Sequence, residues 1–535
     1  MNAPLPKATL YEYLWENNKD YLHGTALKYF GKCITYGTLF EKSKKAANAF
    51  LNMGIKQGDI VTIMSMQTPE TIYTIYGLNY IGAVSNLVYM TLTENEILDT
   101  IETTASKALF VMEPVLDKVE KVCDKITVPV VVLPVSGTMP FYMRALYNLK
   151  NGRQSKNAWM PFKDFLSKVS SDVVPVQFKE HDSMAVIVYT SGTTGEPKGV
   201  CLSNDGINAL VYQDMNGLVE FERGKECLFL LPPFVGFGIT NLHMILCGGV
   251  TLILQIVHEP EAIVTAFFRT KPYCFLTGPV LMDEISAHEP GKLQNVRYFI
   301  GGGGSITSAQ EERINTLLKK SGSSARYSNG YGMTEAGSVL CYNINEVYKA
   351  GSVGIPFLKT TVKVVDDDGN ELPYGKTGEL LFDGDSLMMG YFDNTSATEE
   401  VIVYDEKGKR WLKTGDLGYV DEDGFVFLEG RKKRIYITML EDGYVYKLFP
   451  QRIEELISAL NGINACGVVV RKDEKRINEP VLFASIENYE ESNVEAKTEE
   501  IKQAAGDGLP RHMRPVEIKI IKKMPMTASG KIDYR

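Results

Sequence analysis

At 535 residues the chain exceeds what a single hydrophobic core usually organises, so at least two domains are expected. Its 44% hydrophobic and 23% charged residues match ordinary folded proteins and exclude a disordered or fibrous chain. A formal net charge of -9 argues against a duplex-binding protein and leaves a nucleotide open as a small-molecule substrate, so no nucleic-acid partner is expected.

From the N-terminus, Met1 to Leu14 shows no basic segment followed by an apolar run, and no later stretch approaches the roughly 20 apolar residues of a membrane span. A cytoplasmic chain is therefore expected. Ile60 to Met66 reads as a buried strand. Thr68-Pro69-Glu70 then supplies an N-cap, a proline at the first helical position and an acid in the first turn, which predicts a helix toward Tyr80. Ala83 to Tyr89 reads as the next strand, Thr93 caps a helix through Thr103, and Ala108 to Met112 is strand again. This alternation is the pattern of an α/β domain with a largely parallel sheet. The stretch from about Ser136 to Asp172, rich in Lys, Asn and Ser, reads as a surface excursion.

Directly after the apolar strand Met184 to Val188 comes Tyr189-Thr190-Ser191-Gly192-Thr193-Thr194-Gly195-Glu196-Pro197-Lys198-Gly199. Its glycines let backbone approach an anion, its hydroxyls and amides can donate to phosphate oxygens, and Lys198 adds positive charge. The spacing G-x-x-x-x-G-K-[ST] is missing, so this is a phosphate-gripping loop of another kind than the Walker A loop. Gly249 to Val257 has the length of a buried strand. Beyond about Val353 short β-prone runs alternate with turn chemistry, with Asp368-Gly369 and Asp423-Gly424 as hairpin signals. After Gly430 a basic cluster, Arg431 to Arg434, opens a last stretch with its own strand and helix runs, which sets the expected boundary: a large domain over 1–430 and a small one over 431–535. The eight cysteines are scattered and form no C-x-x-C pair, so reduced thiols are expected.

The loop around Lys198 resembles the first signature of the adenylate-forming superfamily, which contains acyl-CoA synthetases, luciferases and the adenylation domains of peptide synthetases. Further motifs stand in that family's order: Asn329-Gly330-Tyr331-Gly332-Met333-Thr334-Glu335, then Trp411-Leu412-Lys413-Thr414-Gly415-Asp416, Gly430-Arg431, and Pro525-Met526-Thr527-Ala528-Ser529-Gly530-Lys531. The resemblance implies an α/β fold, with a large N-terminal domain of α/β sheets plus a β-rich subdomain, followed by a small, mobile α+β C-terminal domain. It implies ATP and AMP binding by Thr190, Ser191, Gly192, Thr193, Thr194, Gly195, Lys198, Gly302, Gly303, Asn329, Gly330, Tyr331, Asp416 and Arg431. Tyr331 would offer its face to adenine, and Asp416 would accept from both ribose hydroxyls. Thr334, Glu335 and Lys531 would be catalytic, with Thr334 donating to the α-phosphate and Glu335, with Thr193, holding Mg²⁺. The acyl pocket is expected at Phe234, Val235, Gly236, Phe237, Gly304 and Met333.

The resemblance further implies a carboxylic acid, ATP and coenzyme A as partners, with a rotation about Arg431 to Arg434 exchanging Lys531 for the incoming thiol. Monomer or homodimer is left open. Two departures stand out. Val235 occupies a place where the family often has histidine, and Arg434 stands where an acid is frequent, followed by extra residues in Ile435 to Tyr444. Amino-acid adenylation is disfavoured because no aspartate near Phe234 would hold an α-amino group and the chain ends without a carrier domain. A freestanding ligase that loads an acyl-carrier protein stays as the alternative. A serine hydrolase is disfavoured because no G-x-S-x-G elbow occurs, and a non-catalytic nucleotide sensor because Glu335 and Lys531 are both present.

Overall fold

The computed structural model describes residues 4–151, 159–167, 177–190, 197–217, 219–257, 259–278, 281–302, 308–434, 436–440, 445–473, 475–487, 489–526 and 532–534. The chain forms a large N-terminal domain and a small C-terminal one, both mixed α/β.

The large domain rests on two mainly parallel sheets. In the first, the strands Val130–Leu133, Ala108–Met112, Ile60–Met64, Val84–Leu87 and Met184–Tyr189 run parallel, and Gly199–Ser203 and Gly390–Tyr391 extend one edge antiparallel. In the second, Thr25–Tyr29, Thr251–Leu254, Glu226–Phe229, Cys274–Thr277, Tyr298–Gly301 and Tyr327–Gly332 are parallel, with antiparallel strands at both edges.

The connections follow from local chemistry. Thr68 accepts the backbone N–H of Thr71 and Pro69 opens the helix Pro69–Tyr80, while Thr93 and Glu96 close a reciprocal capping box on Glu94–Thr103. Every residue of Pro69–Tyr80 is buried, as is nearly all of Gly236–Cys247, the helix that links two strands of the other sheet. A helix apolar on all sides has to lie between layers, and here one helix from each sheet does so. The Tyr76 hydroxyl and the His243 ring are 2.9 Å apart across that seam. One hydrophobic core therefore runs through both sheets.

The stretch 136–172 is more integrated than a surface excursion. Met160–Pro161 adds an edge strand beside Val130–Leu133, and Phe162–Ser167 buries Phe165 against Phe50 and Phe110, with Phe162 against Phe165. Two aromatics spaced along one helical turn were its apolar signal, masked by the polar residues around them. Before them in the chain, the helix Phe141–Asn151 lies on the surface.

The antiparallel sheet of Thr361–Val365, Gly378–Asp383, Arg410–Val420, Ile402–Tyr404 and Val426–Arg431 is the expected β-rich subdomain. Asp423-Gly424 turns its last hairpin as expected, with Gly424 at φ +85°. Asp368-Gly369 turns a shorter excursion, closed by a Val365–Glu371 bridge, before the chain returns as Gly378–Asp383.

The C-terminal part has a separate core. Ile463–Asp473, Ile477–Ile486 and Glu517–Ile521 form a three-stranded sheet covered by Pro450–Ser458 and Glu491–Gly508, with Ile453, Ile457, Leu482 and Ile501 fully buried. Among the described residues no helix is long and apolar enough to cross a membrane.

Candidate active site

Open α/β sheets collect ligands beyond the carboxyl ends of their parallel strands, and most of the described sequence-predicted residues gather there. Tyr298–Gly301 delivers Gly302, and Tyr327–Gly332 delivers Asn329 to Glu335. The Gly302 N–H donates to the carbonyl of Thr277 at 3.0 Å. A Cβ on Gly302 would stand 2.8 Å from the Phe237 ring, so that ring rests on bare backbone. A Cβ on Gly236 would stand 2.8 Å from the Gly337 carbonyl and 3.6 Å from the Thr334 Cα. Glycine at 236 therefore lets the segment Phe234 to Phe237 reach the turn Thr334 to Gly337, and glycine at 302 lets the Phe237 ring sit on the end of Tyr298–Gly301. Phe234 is buried beside Tyr89, with ring centroids 5.0 Å apart, and Met333 packs on the same core. The expected acyl-pocket residues and the second signature thus share one wall. Gly303 and Gly304 lie outside the described residues.

Glu335 is joined to the phosphate loop by a residue the motifs do not contain. The Tyr391 hydroxyl donates to Glu335 Oε1 at 2.8 Å, and the Lys198 ammonium lies 4.7 Å from the centre of the Tyr391 ring. Burial, and next the charge of Glu335, push the Tyr391 phenol well above its ordinary pKa, so it stays a hydrogen-bond donor. The Met388 N–H also holds the Glu335 carbonyl at 2.8 Å. Tyr391 is positioned because Gly390–Tyr391 pairs with Gly199–Ser203, directly after Lys198. No spacing in the sequence joins positions 335 and 391. At the stem of the loop, Thr190 N–H donates to the Lys198 carbonyl and Lys198 N–H to the Thr190 hydroxyl, both at 3.1 Å. Ser191, Gly192, Thr193, Thr194 and Gly195 lie outside the described residues.

Asp416 is the second centre. Its backbone pairs with Arg431 across the hairpin, and the residue is only 5% exposed. The Tyr331 hydroxyl donates to Oδ2 at 2.5 Å, and Arg431 Nε lies 2.7 Å from Oδ1. Burial, then the neighbouring carboxylate, hold the Tyr331 phenol far above its usual pKa. Its ring, expected to face adenine, is buried, and its centroid lies 5.9 Å from that of Phe382. A carboxylate has about four acceptor positions, and Tyr331 and Arg431 take two of them. Asn329 accepts from Asn343 at 2.9 Å, which fixes its side chain on the same strand end.

The basic run 431–434 is tied down on both sides. Arg431 pairs with Asp416, and Lys432 lies 3.2 Å from Glu379 and 3.0 Å from Asp367, all within the β-rich subdomain. Arg434 instead reaches into the small domain, with a two-pronged contact to Glu454 at 2.7 and 3.2 Å and the Tyr534 ring at 4.1 Å. The unexpected arginine therefore has an internal acid as its partner. Tyr534 follows Lys531 closely, and a bridge between Met526 and Ile532 brackets residues 527–531; Lys531 itself lies outside the described residues.

Two sequence families match the chain. Residues 14–392 fit the AMP-binding enzymes and residues 452–531 the AMP-binding enzyme C-terminal domain. The chain belongs to the AMP-binding enzymes. This is the adenylate-forming superfamily that its motifs resemble. Among relatives of this AMP-binding enzyme, a long-chain-fatty-acid–CoA ligase of Bacillus subtilis (strain 168) is 26% identical over 547 residues, covering 99% of this chain and 94% of that protein. The 4-coumarate–CoA ligase 1 of Petroselinum crispum is 26% identical over 520 residues, covering 94% and 88%. The same fold occurs in the anthranilate CoA ligase AuaEII in complex with anthranoyl-AMP, with a TM-score of 0.84 at 20% identity, covering 99% of this chain and 96% of that one. ATP-bound MatB from Rhodopseudomonas palustris aligns with a TM-score of 0.82 at 20% identity, covering 98% and 97%.

Proposed function

We propose that this enzyme is an ATP-dependent acid–thiol ligase that adenylates an apolar carboxylic acid, releases pyrophosphate, and passes the acyl group to coenzyme A. The observation that carries the reading is the meeting of Glu335, Tyr391 and Lys198 at one strand edge and of Tyr331, Asp416 and Arg431 at the next. Full-length similarity to proteins named as CoA ligases supports the thiol.

A free carboxylate resists thiols because it is anionic and would have to expel oxide. Adenylation supplies a better leaving group, and its main obstacle is repulsion between the acid and the α-phosphate. Lys198 and the loop it closes lower that repulsion, Thr334 donates to the α-phosphate, and Asp416 holds the ribose in the orientation the attack requires. Lys531 adds a second cation during this half-reaction, then leaves with the small domain so that the thiol can attack. We place the pivot of that movement within 431–434, since Arg431 and Lys432 are paired to the β-rich subdomain and Arg434 to Glu454 of the small domain. We draw the domain boundary within the same run, beside the 430/431 division expected from the sequence.

The residues present fit Mg²⁺. Glu335 offers a hard oxygen, and among the described residues its hydrogen bond runs to Oε1 alone. No cluster of three or more His, Cys, Asp or Glu occurs among the described residues, and magnesium usually takes only one or two protein carboxylates beside substrate phosphates. Glu335 and Thr193 would hold the ion, which when bound neutralises phosphate charge. Tyr391 aims Glu335 by donating to it.

Phe234, Val235, Phe237 and Met333 offer the acid an apolar wall, which Gly236 and Gly302 let pack closely on the neighbouring segments. The test is pyrophosphate release across fatty and aryl acids, with product analysis in the presence of coenzyme A or an acyl-carrier protein. Acyl-CoA formation is expected. Adenylate formation with thioester on the carrier protein only would overturn the choice of thiol.

A further inference from the structure

We propose that the helix Phe141–Asn151 docks this protein onto an anionic lipid bilayer surface. The helix is turned the opposite way from an ordinary surface helix. At roughly 100° per residue, Phe141, Ala145, Leu149, Tyr142 and Leu146 fall in one arc of about 140°, and that arc faces away from the protein. Phe141 is 79% exposed, Tyr142 66%, Leu146 59% and Leu149 84%. Only Met143 and Tyr147, on the opposite side, pack against the core, helped by a Ser136–Asn148 hydrogen bond of 2.9 Å. Elsewhere among the described residues, large exposed apolar side chains are scattered, apart from Ile437 and Val445 on one hairpin. Four on one helical face form the kind of patch that marks an interaction surface.

The charge around the helix selects the occupant. Among the described residues of 125–163, the charged side chains are Lys125, Arg144, Lys150 and Lys163, with no Asp or Glu, in a chain whose net charge is -9. Arg144 and Lys150 are exposed at the two margins of the apolar arc. An apolar face bordered by cations is the composition of a helix that lies in the plane of a membrane, with its aromatic and leucine side chains below the headgroups and its cations among lipid phosphates. A helix of this length is marginal in water by itself, and two anchoring side chains stabilise it little, so a covering surface would complete it. This docking is independent of which acid the enzyme activates.

Co-sedimentation with vesicles tests it, using phosphatidylcholine alone and an equal mixture of phosphatidylcholine and phosphatidylglycerol. The wild-type chain should bind the mixed vesicles and be released by raised salt. Leu146→Glu with Leu149→Glu should lower the partition coefficient at least about tenfold, because each leucine otherwise leaves water. Arg144→Gln with Lys150→Gln should remove most of the preference for phosphatidylglycerol. All four side chains are exposed, so melting temperature and pyrophosphate release with a water-soluble acid should not change. The proposal is overturned by a failure to bind either vesicle, by binding that ignores the leucine pair, or by binding that needs no anionic lipid. A dimer in sedimentation velocity that the leucine pair dissociates, without vesicle binding, would assign the face to a second copy of the chain instead.

Discussion

Replacing Asp416 by alanine should weaken ATP binding and destabilise the fold by similar amounts. The carboxylate accepts from the Tyr331 hydroxyl at 2.5 Å and lies 2.7 Å from Arg431 Nε. The arginine pair contributes little to folding, because the Arg431 side chain is 51% exposed and such pairs are worth about 0–1 kcal/mol. The tyrosine is different: it is buried, and losing its acceptor costs about 1–3 kcal/mol. Nucleotide binding loses the charged hydrogen bonds to ribose, about 1.5–3 kcal/mol, which is roughly a 10- to 150-fold rise in the apparent constant for ATP. Asp416→Asn separates the two effects, since the amide oxygen still accepts from Tyr331 while the charge that favours the ribose and Arg431 is gone. Initial rates of pyrophosphate release against ATP concentration, beside melting curves for both variants, give the comparison. If the Michaelis constant for ATP stays at the wild-type value while Asp416→Ala melts early, the aspartate is a structural acceptor for Tyr331 and the ribose assignment is wrong.

Tyr391→Phe removes the only hydroxyl described on Glu335 and should raise the magnesium concentration needed for half-maximal adenylation several-fold, with ATP affinity at saturating magnesium little changed; an unaltered magnesium titration would detach Tyr391 from the site. Lys531→Ala should abolish adenylate synthesis while supplied acyl-adenylate is still converted to thioester, and equal loss of both half-reactions would contradict the two-position scheme. Gly302→Ala puts a methyl 2.8 Å from the Phe237 ring and should shift acid preference toward smaller acids, read as a change in the ratio of kcat/KM between a short and a bulky acid. Glu70 is buried, and desolvation lifts its carboxyl to about 7 despite the Thr138 hydroxyl at 2.6 Å. A raised folded-state pKa gives stability that is complete at low pH and lost as pH rises through about 7, so wild type should gain in melting temperature relative to Glu70→Gln between about pH 8 and about pH 5. A constant difference would show that Glu70 does not titrate there.

The sequence by itself determined the elements whose signals are local. Thr68-Pro69-Glu70 and Thr93-x-x-Glu96 began helices where capping chemistry requires, and the apolar runs at 60, 84, 108 and 184 became parallel strands because nothing else buries such runs on both faces. The family and the order of its motifs were legible for the same reason: each motif is a short segment whose glycines, hydroxyls and acids carry meaning together. Tertiary structure decided what depends on distant segments meeting. Tyr391 reaches Glu335 through strand pairing with Gly199–Ser203, a contact across 56 positions that has no sequence period. Phe162 and Phe165 enter the core because the edge strand Met160–Pro161 brings them there, although polar residues surround them in the chain. Arg434 looked out of place until Glu454 and Tyr534 met it. The helix Phe141–Asn151 makes the same point in reverse: its amphipathic pattern is readable from the sequence, but only the fold shows that the apolar side faces out, because Met143 and Tyr147 are the side chains that find the core.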